Sequence, residues 1–288
     1  MFKGTYTAIV TPFTSGGEVD YDALGRLVDA QIEEGVDGLV PVGTTGESPT
    51  LSMEEHHKVI EQVIERAAKR VKIIAGTGAN ATAEALALTA HAKEAGADGC
   101  LQVTPYYNKP SQAGLIRHFT AVADLDLPVV LYNIPGRTSR ALTLETVIEL
   151  AQHPSIVAIK EAAGDVDRVS QYAQASDIAV LSGDDGLTLP MMVVGAVGVI
   201  SVAANVAPAK VAGMVRAALE GRWDEARALH RELYPLFTDL FIDTNPVPVK
   251  AALAMMGRME EVYRLPLCTM TDAQKEKLRG TLNALGLM

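Results

Sequence analysis

Cysteine is nearly absent from the chain: Cys100 and Cys268 are the only two in 288 residues, and they lie far apart. Such scarcity excludes a disulfide scaffold and predicts two free, buried thiols in a reducing compartment. Basic residues are also in deficit, 25 Lys and Arg against 35 Asp and Glu, giving a formal net charge of −10. A surface of that sign tracks phosphates poorly, so nucleic acid is a poor partner, while small polar metabolites stay open. No apolar stretch approaches the ~20 residues of a membrane span; the longest candidate, 191–200, is broken by Gly195 and Gly198. The start, Met1-Phe2-Lys3-Gly4-Thr5, has neither the charged n-region nor the long apolar h-region of a secretory signal, which predicts a cytoplasmic protein without membrane partners.

Several catalytic signatures are missing as well. No Gly-rich dinucleotide turn follows the first apolar run, where Ile9-Val10-Thr11-Pro12-Phe13 stands instead. The loop Gly43-Thr44-Thr45-Gly46-Glu47 is not a Walker A, because no Gly-Lys-Ser/Thr follows it. A Gly-x-Ser-x-Gly elbow is absent, which argues against a serine hydrolase. His56, His57, His91, His118, His153 and His230 show no metal-ligand spacing, so no metal is expected, nor any organic cofactor.

What is present is a regular alternation of short apolar, β-branched runs with helix-period segments, the pattern of βα units around a parallel sheet. Runs centred on 6–10, 38–41, 72–75, 99–103, 128–132, 156–160, 178–181 and 198–201 predict eight strands. Helices are predicted between them over 21–34, 53–70, 83–95, 111–123, 144–152, 165–174 and 185–194. Ser52 with Glu55 three residues on reads as a capping box, and Thr82 as the cap of a helix ending at Gly96. Eight such units close into a (β/α)8 TIM barrel; an open doubly wound sheet is the structural alternative. Beyond the eighth strand the β signal stops, and 208–220, 223–242, 246–256 and 272–287 read as helices. The expected division is a catalytic barrel, 1–221, and a C-terminal helical domain, 222–288, covering part of the barrel or a subunit contact.

In such a barrel, chemistry sits at the C-terminal ends of the strands. Lys160 closes the run Ser155-Ile156-Val157-Ala158-Ile159. An amine placed there loses hydration and proton affinity, and a neutral amine can add to the ketone of a small 2-oxo acid to form an imine. A lysine paired with Glu161 or another strand-end acid is the other reading of that position. The Gly43–Glu47 loop can cup a carboxylate with amides and two hydroxyls, or be a Thr/Gly-rich turn ending in a helix cap. Tyrosines in Pro105-Tyr106-Tyr107-Asn108-Lys109-Pro110 and at Tyr132 can relay protons through threonine hydroxyls, or serve as aromatic anchors. Arg137, in Tyr132-Asn133-Ile134-Pro135-Gly136-Arg137-Thr138, can grip a second carboxylate or make a surface ion pair.

Together with Ile159-Lys160-Glu161 and Ser182-Gly183-Asp184-Asp185, these segments resemble the dihydrodipicolinate synthase family in order and spacing over essentially the whole chain. The wider superfamily of N-acetylneuraminate lyase and 2-keto-3-deoxygluconate aldolase shares the lysine and the Thr-Gly loop. Paired Tyr106-Tyr107 and Gly136-Arg137-Thr138 look like the synthase pattern, against the alternative of a sister lyase acting on a sugar-derived 2-oxo acid. The resemblance implies condensation of pyruvate with L-aspartate-4-semialdehyde through a lysine Schiff base, on the diaminopimelate route to lysine. It implies that Lys160 forms the imine, that the Thr44 and Thr45 loop holds the pyruvate carboxylate, and that Tyr132 moves protons through Thr44 to Tyr107 of a neighbouring subunit. Arg137 would bind the semialdehyde carboxylate, and Gly183 and Ile200 would line the pyruvate pocket through backbone carbonyls. The resemblance also implies a homotetramer, a dimer of dimers, and an L-lysine effector site at Ser48, His56, Asn80, Glu84 and Tyr106. Two departures bear on that site: Met53 stands where some lysine-sensitive members have histidine, and Pro49 where alanine is frequent.

Overall fold

The computed structural model describes residues 2–288. Eight parallel strands close into a barrel in sequence order: β1 Gly4–Thr7, β2 Gly38–Leu39, β3 Lys72–Gly76, β4 Gly99–Val103, β5 Val129–Asn133, β6 Ile156–Glu161, β7 Ala179–Ser182 and β8 Gly198–Ser201. The helices are α1 Tyr21–Glu33, α2 Met53–Ala67, α3 Thr82–Ala95, α4 Gln112–Ala123, α5 Pro135–Thr138 and α6 Leu144–Leu150. They continue as α7 Asp167–Ala175, α8 Thr188–Val193, α9 Pro208–Leu219, α10 Trp223–Asp239, α11 Val247–Met255 and α12 Asp272–Ala284. The expected (β/α)8 barrel with C-terminal helices is therefore the observed architecture, and the doubly wound sheet is not.

Two apolar layers hold it together, because strand side chains alternate between faces. One face fills the barrel interior with Tyr6, Val40, Ile74, Leu101, Val130, Tyr132, Ala158, Leu181 and Ile200. The other packs against the helices through residues such as Leu39, Val129, Leu131, Ile159 and Val199, and the same layer runs on into Leu236, Leu253 and Leu282 of the C-terminal helices.

Element ends differ from the sequence expectation where local backbone chemistry intervenes. The first ladder stops at Thr7, not at residue 10, although Ile9 N still donates to Val40 O at 3.2 Å. Helix α2 ends at Ala67 and not at residue 70, because Ala68 and Lys69 adopt left-handed φ of 47° and 59°. Ser52 does form the expected capping box with Glu55, a device that stabilises a helix end by about 1 kcal/mol. Thr82 is not the cap of α3: Ala81 holds that position, and the Thr82 hydroxyl turns 2.9 Å to His118 Nδ1. The turn α5, which carries Arg137, reads as loop in the sequence because four residues are too few to show a period. Both cysteines are free, but Cys268 is exposed, not buried, since it lies in the irregular segment between α11 and α12.

Candidate active site at the barrel mouth

The orientation of Lys160 is set by one irregularity. Strands β5 and β6 pair Val129 with Ile156 and then Val130 with Ala158, so Val157 is an extra residue on β6. A one-residue slip moves a strand's side chains to the opposite face. Past the slip, Tyr132 lies beside Lys160 on the inner face, and Asn133 beside Glu161 on the outer one. Glu161 is fully buried there. Its carboxylate accepts from Asn133 Nδ2 at 3.0 Å, Ala163 N at 2.8 Å, Arg168 Nε at 3.1 Å and Tyr172 OH at 2.9 Å. The reading of Lys160 as an ion-pair partner of Glu161 is thereby overturned: the acid next in sequence faces away and its oxygens are engaged.

Lys160 is 6% exposed. Burial lowers its pKa to about 8; the negative charge of Asp185 opposes that shift and the Arg137 charge adds to it. Its Nζ sits 4.2 Å from the centroid of the Tyr132 ring. The arm passes Gly183, where a Cβ would stand 2.9 Å from Lys160 Cε and 2.8 Å from Ala162 Cβ. Gly183 thus leaves room for the lysine. Burial pushes Tyr132 up to about 12, against the Arg137 charge and the Thr44 hydroxyl beside it. At neutral pH it therefore enters the site as a phenol O–H donor with a hydroxyl neighbour able both to donate and to accept.

Residues Gly43 to Glu47 form a turn closed on itself, with Gly46 N to Gly43 O at 3.0 Å and Glu47 N to Thr44 O at 3.1 Å. Gly46 is required by the close approach of the chain: a Cβ there would lie 2.9 Å from Val42 N. Thr45 is buried, and its Oγ1 accepts from Asn245 Nδ2 at 3.0 Å, which leaves its hydroxyl hydrogen free to donate. The exposed Arg137 donates through one guanidinium nitrogen to Asn245 O at 3.1 Å. Asn245, which the sequence reading did not single out, therefore joins the loop to the arginine.

A cavity of ≈ 200 Å³ opens at this end of the barrel, bordered by Gly43, Thr44, Ser48, Tyr106, Tyr132 and Arg137 among others. Tyr132 borders it, whereas Lys160, Gly183 and Ile200 do not. Ile200 is in the interior cluster with Tyr132, opposite Tyr6 of β1. Tyr107 does not join the site within one chain: it is 89% exposed, with a left-handed φ of 71°. Of the residues expected to bind lysine, Ser48 and Tyr106 border the cavity, and burial together with the Glu84 charge raises the Tyr106 pKa. Asn80 O accepts from Asn108 at 2.8 Å, and His56 is buried, its pKa lowered to about 4 chiefly by burial. Among the described residues, no group of three or more His, Cys, Asp or Glu is arranged to hold a metal ion. Besides Asn245, the sequence reading passed over Lys250, whose visible signal was one charge inside the apolar run Val247-Pro248-Val249-Lys250-Ala251-Ala252-Leu253.

A closed parallel barrel whose mouth holds a buried, easily deprotonated lysine beside a phenol and a two-threonine loop defines a Schiff-base-forming lyase of the class I aldolase type. The chain belongs to the dihydrodipicolinate synthetase family, whose family model matches residues 1–285. It is 53% identical over 291 aligned positions to the 4-hydroxy-tetrahydrodipicolinate synthase of Aquifex aeolicus, covering 100% of this chain and 99% of the relative. Among solved structures it is similar to the chloride-inhibited dihydrodipicolinate synthase of Acinetobacter baumannii complexed with pyruvate (TM-score 0.98, 46% identity, 100% of both chains). It is also similar to the enzyme of Cyanidioschyzon merolae with lysine bound (TM-score 0.97, 42% identity, 100% of this chain and 99% of the other).

Proposed function

We propose that this chain condenses pyruvate with L-aspartate-4-semialdehyde to 4-hydroxy-tetrahydrodipicolinate, with Lys160 as the imine-forming residue. The observation that carries the reading is the Lys160 amine, buried, brought to a pKa of about 8 and stacked over Tyr132. Its neutral form adds to the keto carbon of pyruvate; water leaves, taking the keto oxygen, and an imine remains. The imine acidifies the adjacent methyl group, whose carbon, after losing a proton, attacks the aldehyde carbon of the second substrate. Tyr132, with Thr44 as its hydroxyl neighbour and Tyr107 of a neighbouring subunit, moves the protons. Hydroxyls and amides of Thr44 and Thr45 hold the pyruvate carboxylate, and Arg137 holds that of the semialdehyde. Gly183 and Ile200 complete the pyruvate pocket through backbone carbonyls.

The active assembly in this reading is a homotetramer in the cytoplasm, with the barrel 1–221 as catalytic unit and 222–288 as helical domain. In support, Tyr107, Val193 and Tyr234 are large apolar or aromatic side chains left 89%, 65% and 51% exposed in the single chain. No helix among the described residues is long and apolar enough to cross a membrane. L-Lysine is the proposed effector at Ser48, His56, Asn80, Glu84 and Tyr106, and initial rates unchanged in millimolar L-lysine would rule it out. The central test is borohydride reduction in the presence of pyruvate, followed by peptide mass analysis. A pyruvyl adduct on the peptide containing Lys160 is expected, and an unmodified Lys160 would overturn the reading.

A further inference from the structure

Lys250 is 0% exposed and paired with Glu47, itself 1% exposed, at the end of the threonine loop. The ammonium also lies 4.1 Å from the Phe13 ring centroid and 5.5 Å from that of Tyr263, so two aromatic rings flank it beside Glu47. Glu47 has a left-handed φ of 54°, a conformation unfavourable for a residue with a Cβ, and its backbone O accepts from Thr50 Oγ1 at 3.0 Å. A buried ion pair gains little stability over apolar packing, because desolvating both charges offsets their attraction. What it does supply is a fixed direction: Glu47 cannot leave its partner without stranding a charge. Five residues before Lys250, just ahead of α11, Asn245 holds Thr45 Oγ1 with its side chain and Arg137 with its carbonyl. The C-terminal segment therefore meets the loop at two points, Thr45 and Glu47, on either side of Gly46. Thr11 Oγ1 adds a third from the segment that follows β1, donating to Gly46 O at 2.7 Å.

We infer that Lys250 and Asn245 are positioning residues for the first substrate: acting through Glu47 and Thr45, they fix the loop that receives the 2-oxo acid carboxylate. This rests on the function proposed above. Neither residue need touch the reacting atoms; each holds a group that does, or holds the loop that bears it. A loop displaced by about 1 Å loses alignment worth orders of magnitude in rate, whereas a semialdehyde gripped by Arg137 is held by a different element.

The experiment uses full-length enzyme carrying Lys250→Met, the charge-balanced double variant Glu47→Gln with Lys250→Met, and Asn245→Ala. Each is assayed for thermal melting, for the KM of both substrates, and for borohydride trapping of pyruvate. In the double variant no buried charge is stranded, so a cooperative fold is expected. Its KM for pyruvate should rise about tenfold or more, with the KM for semialdehyde within about twofold of wild type. Asn245→Ala keeps the ion pair and the carbonyl contact to Arg137, so it should show the same split, and it decides the matter if both Lys250 variants fail to fold. A folded double variant, or a folded Asn245→Ala, with unchanged pyruvate KM overturns the inference, as does an equal rise in both KM values. Wild-type enzyme that traps no pyruvate at Lys160 would instead overturn the proposed function, so the two failures are told apart.

Discussion

Replacing Lys160 by methionine separates what the amine does for chemistry from what it costs the fold. Burial carries the ammonium from its ordinary pKa of 10.5 to about 8, a penalty of about 3 kcal/mol at roughly 1.4 kcal/mol per pH unit. At pH 7 that leaves about one amine in ten neutral, against about one in three thousand for an ordinary lysine. Because the folded-state pKa is the lower one, both states bind the proton below pH 8 and the penalty acts in full. From pH 8 to 10.5 the unfolded chain binds more protons than the folded one, so stability rises with pH and the penalty fades. Methionine, apolar and nearly as long, escapes it. The variant should neither trap pyruvate nor turn over, yet be more stable than wild type at pH 7 by up to about 3 kcal/mol. For a chain of this size that is roughly 5 °C in Tm, and the gap should close as the pH approaches 10. Calorimetric melting of both proteins from pH 6 to 10 measures it. A variant no more stable than wild type at pH 7, or a gap independent of pH, would refute the claim that the amine is held against its own desolvation.

Gly183→Ala forces a methyl to within 2.9 Å of the Lys160 arm and 2.8 Å of Ala162 Cβ, so kcat should fall at least about tenfold and Tm by a few degrees, on the order of the 1–3 kcal/mol that overpacking costs; normal turnover would show that the arm has slack. Arg137→Ala removes an exposed group that carries no buried charge pair, so melting should be unchanged while the semialdehyde KM rises about tenfold to a hundredfold. An effect confined to the pyruvate KM would contradict that role. Subunit mixing checks the reach of Tyr107: unfolding and co-refolding inactive Tyr107→Phe with inactive Lys160→Ala protein should restore part of the wild-type rate, because some mouths then hold both groups. Activity that stays at the level of the separate variants would place Tyr107 outside the reaction.

The barrel was legible because its signal is periodic and repeated: eight apolar runs at similar spacing can be read even when each end is misplaced by a few residues. Lys160 was legible for a local reason, a long charged side chain closing an aliphatic run at a strand end. Glu161, adjacent in sequence and oppositely charged, is one candidate ion-pair partner on the sequence alone. The structure separates them because strand side chains alternate. Arg168 and Tyr172, which engage Glu161 from α7 at 3.1 and 2.9 Å, are seven and eleven residues further on. Helix ends were misplaced where one residue turns left-handed, as Ala68 does, which composition alone does not mark.

What the sequence determined by itself was the set of βα units, the residue types offered at each strand end, and hence a lysine chemistry without metal or nucleotide motifs. Which face those residues take was decided by tertiary structure. The slip between Val129 and Val130 on β5 turns Lys160 inward to Tyr132, and such a slip arises only when two strands distant in sequence pair. The ties from Asn245 to Thr45 and from Lys250 to Glu47 each span about two hundred residues. Contacts of that range leave no periodic trace in the chain, since they depend on how the packed helices bring a C-terminal segment over the barrel mouth.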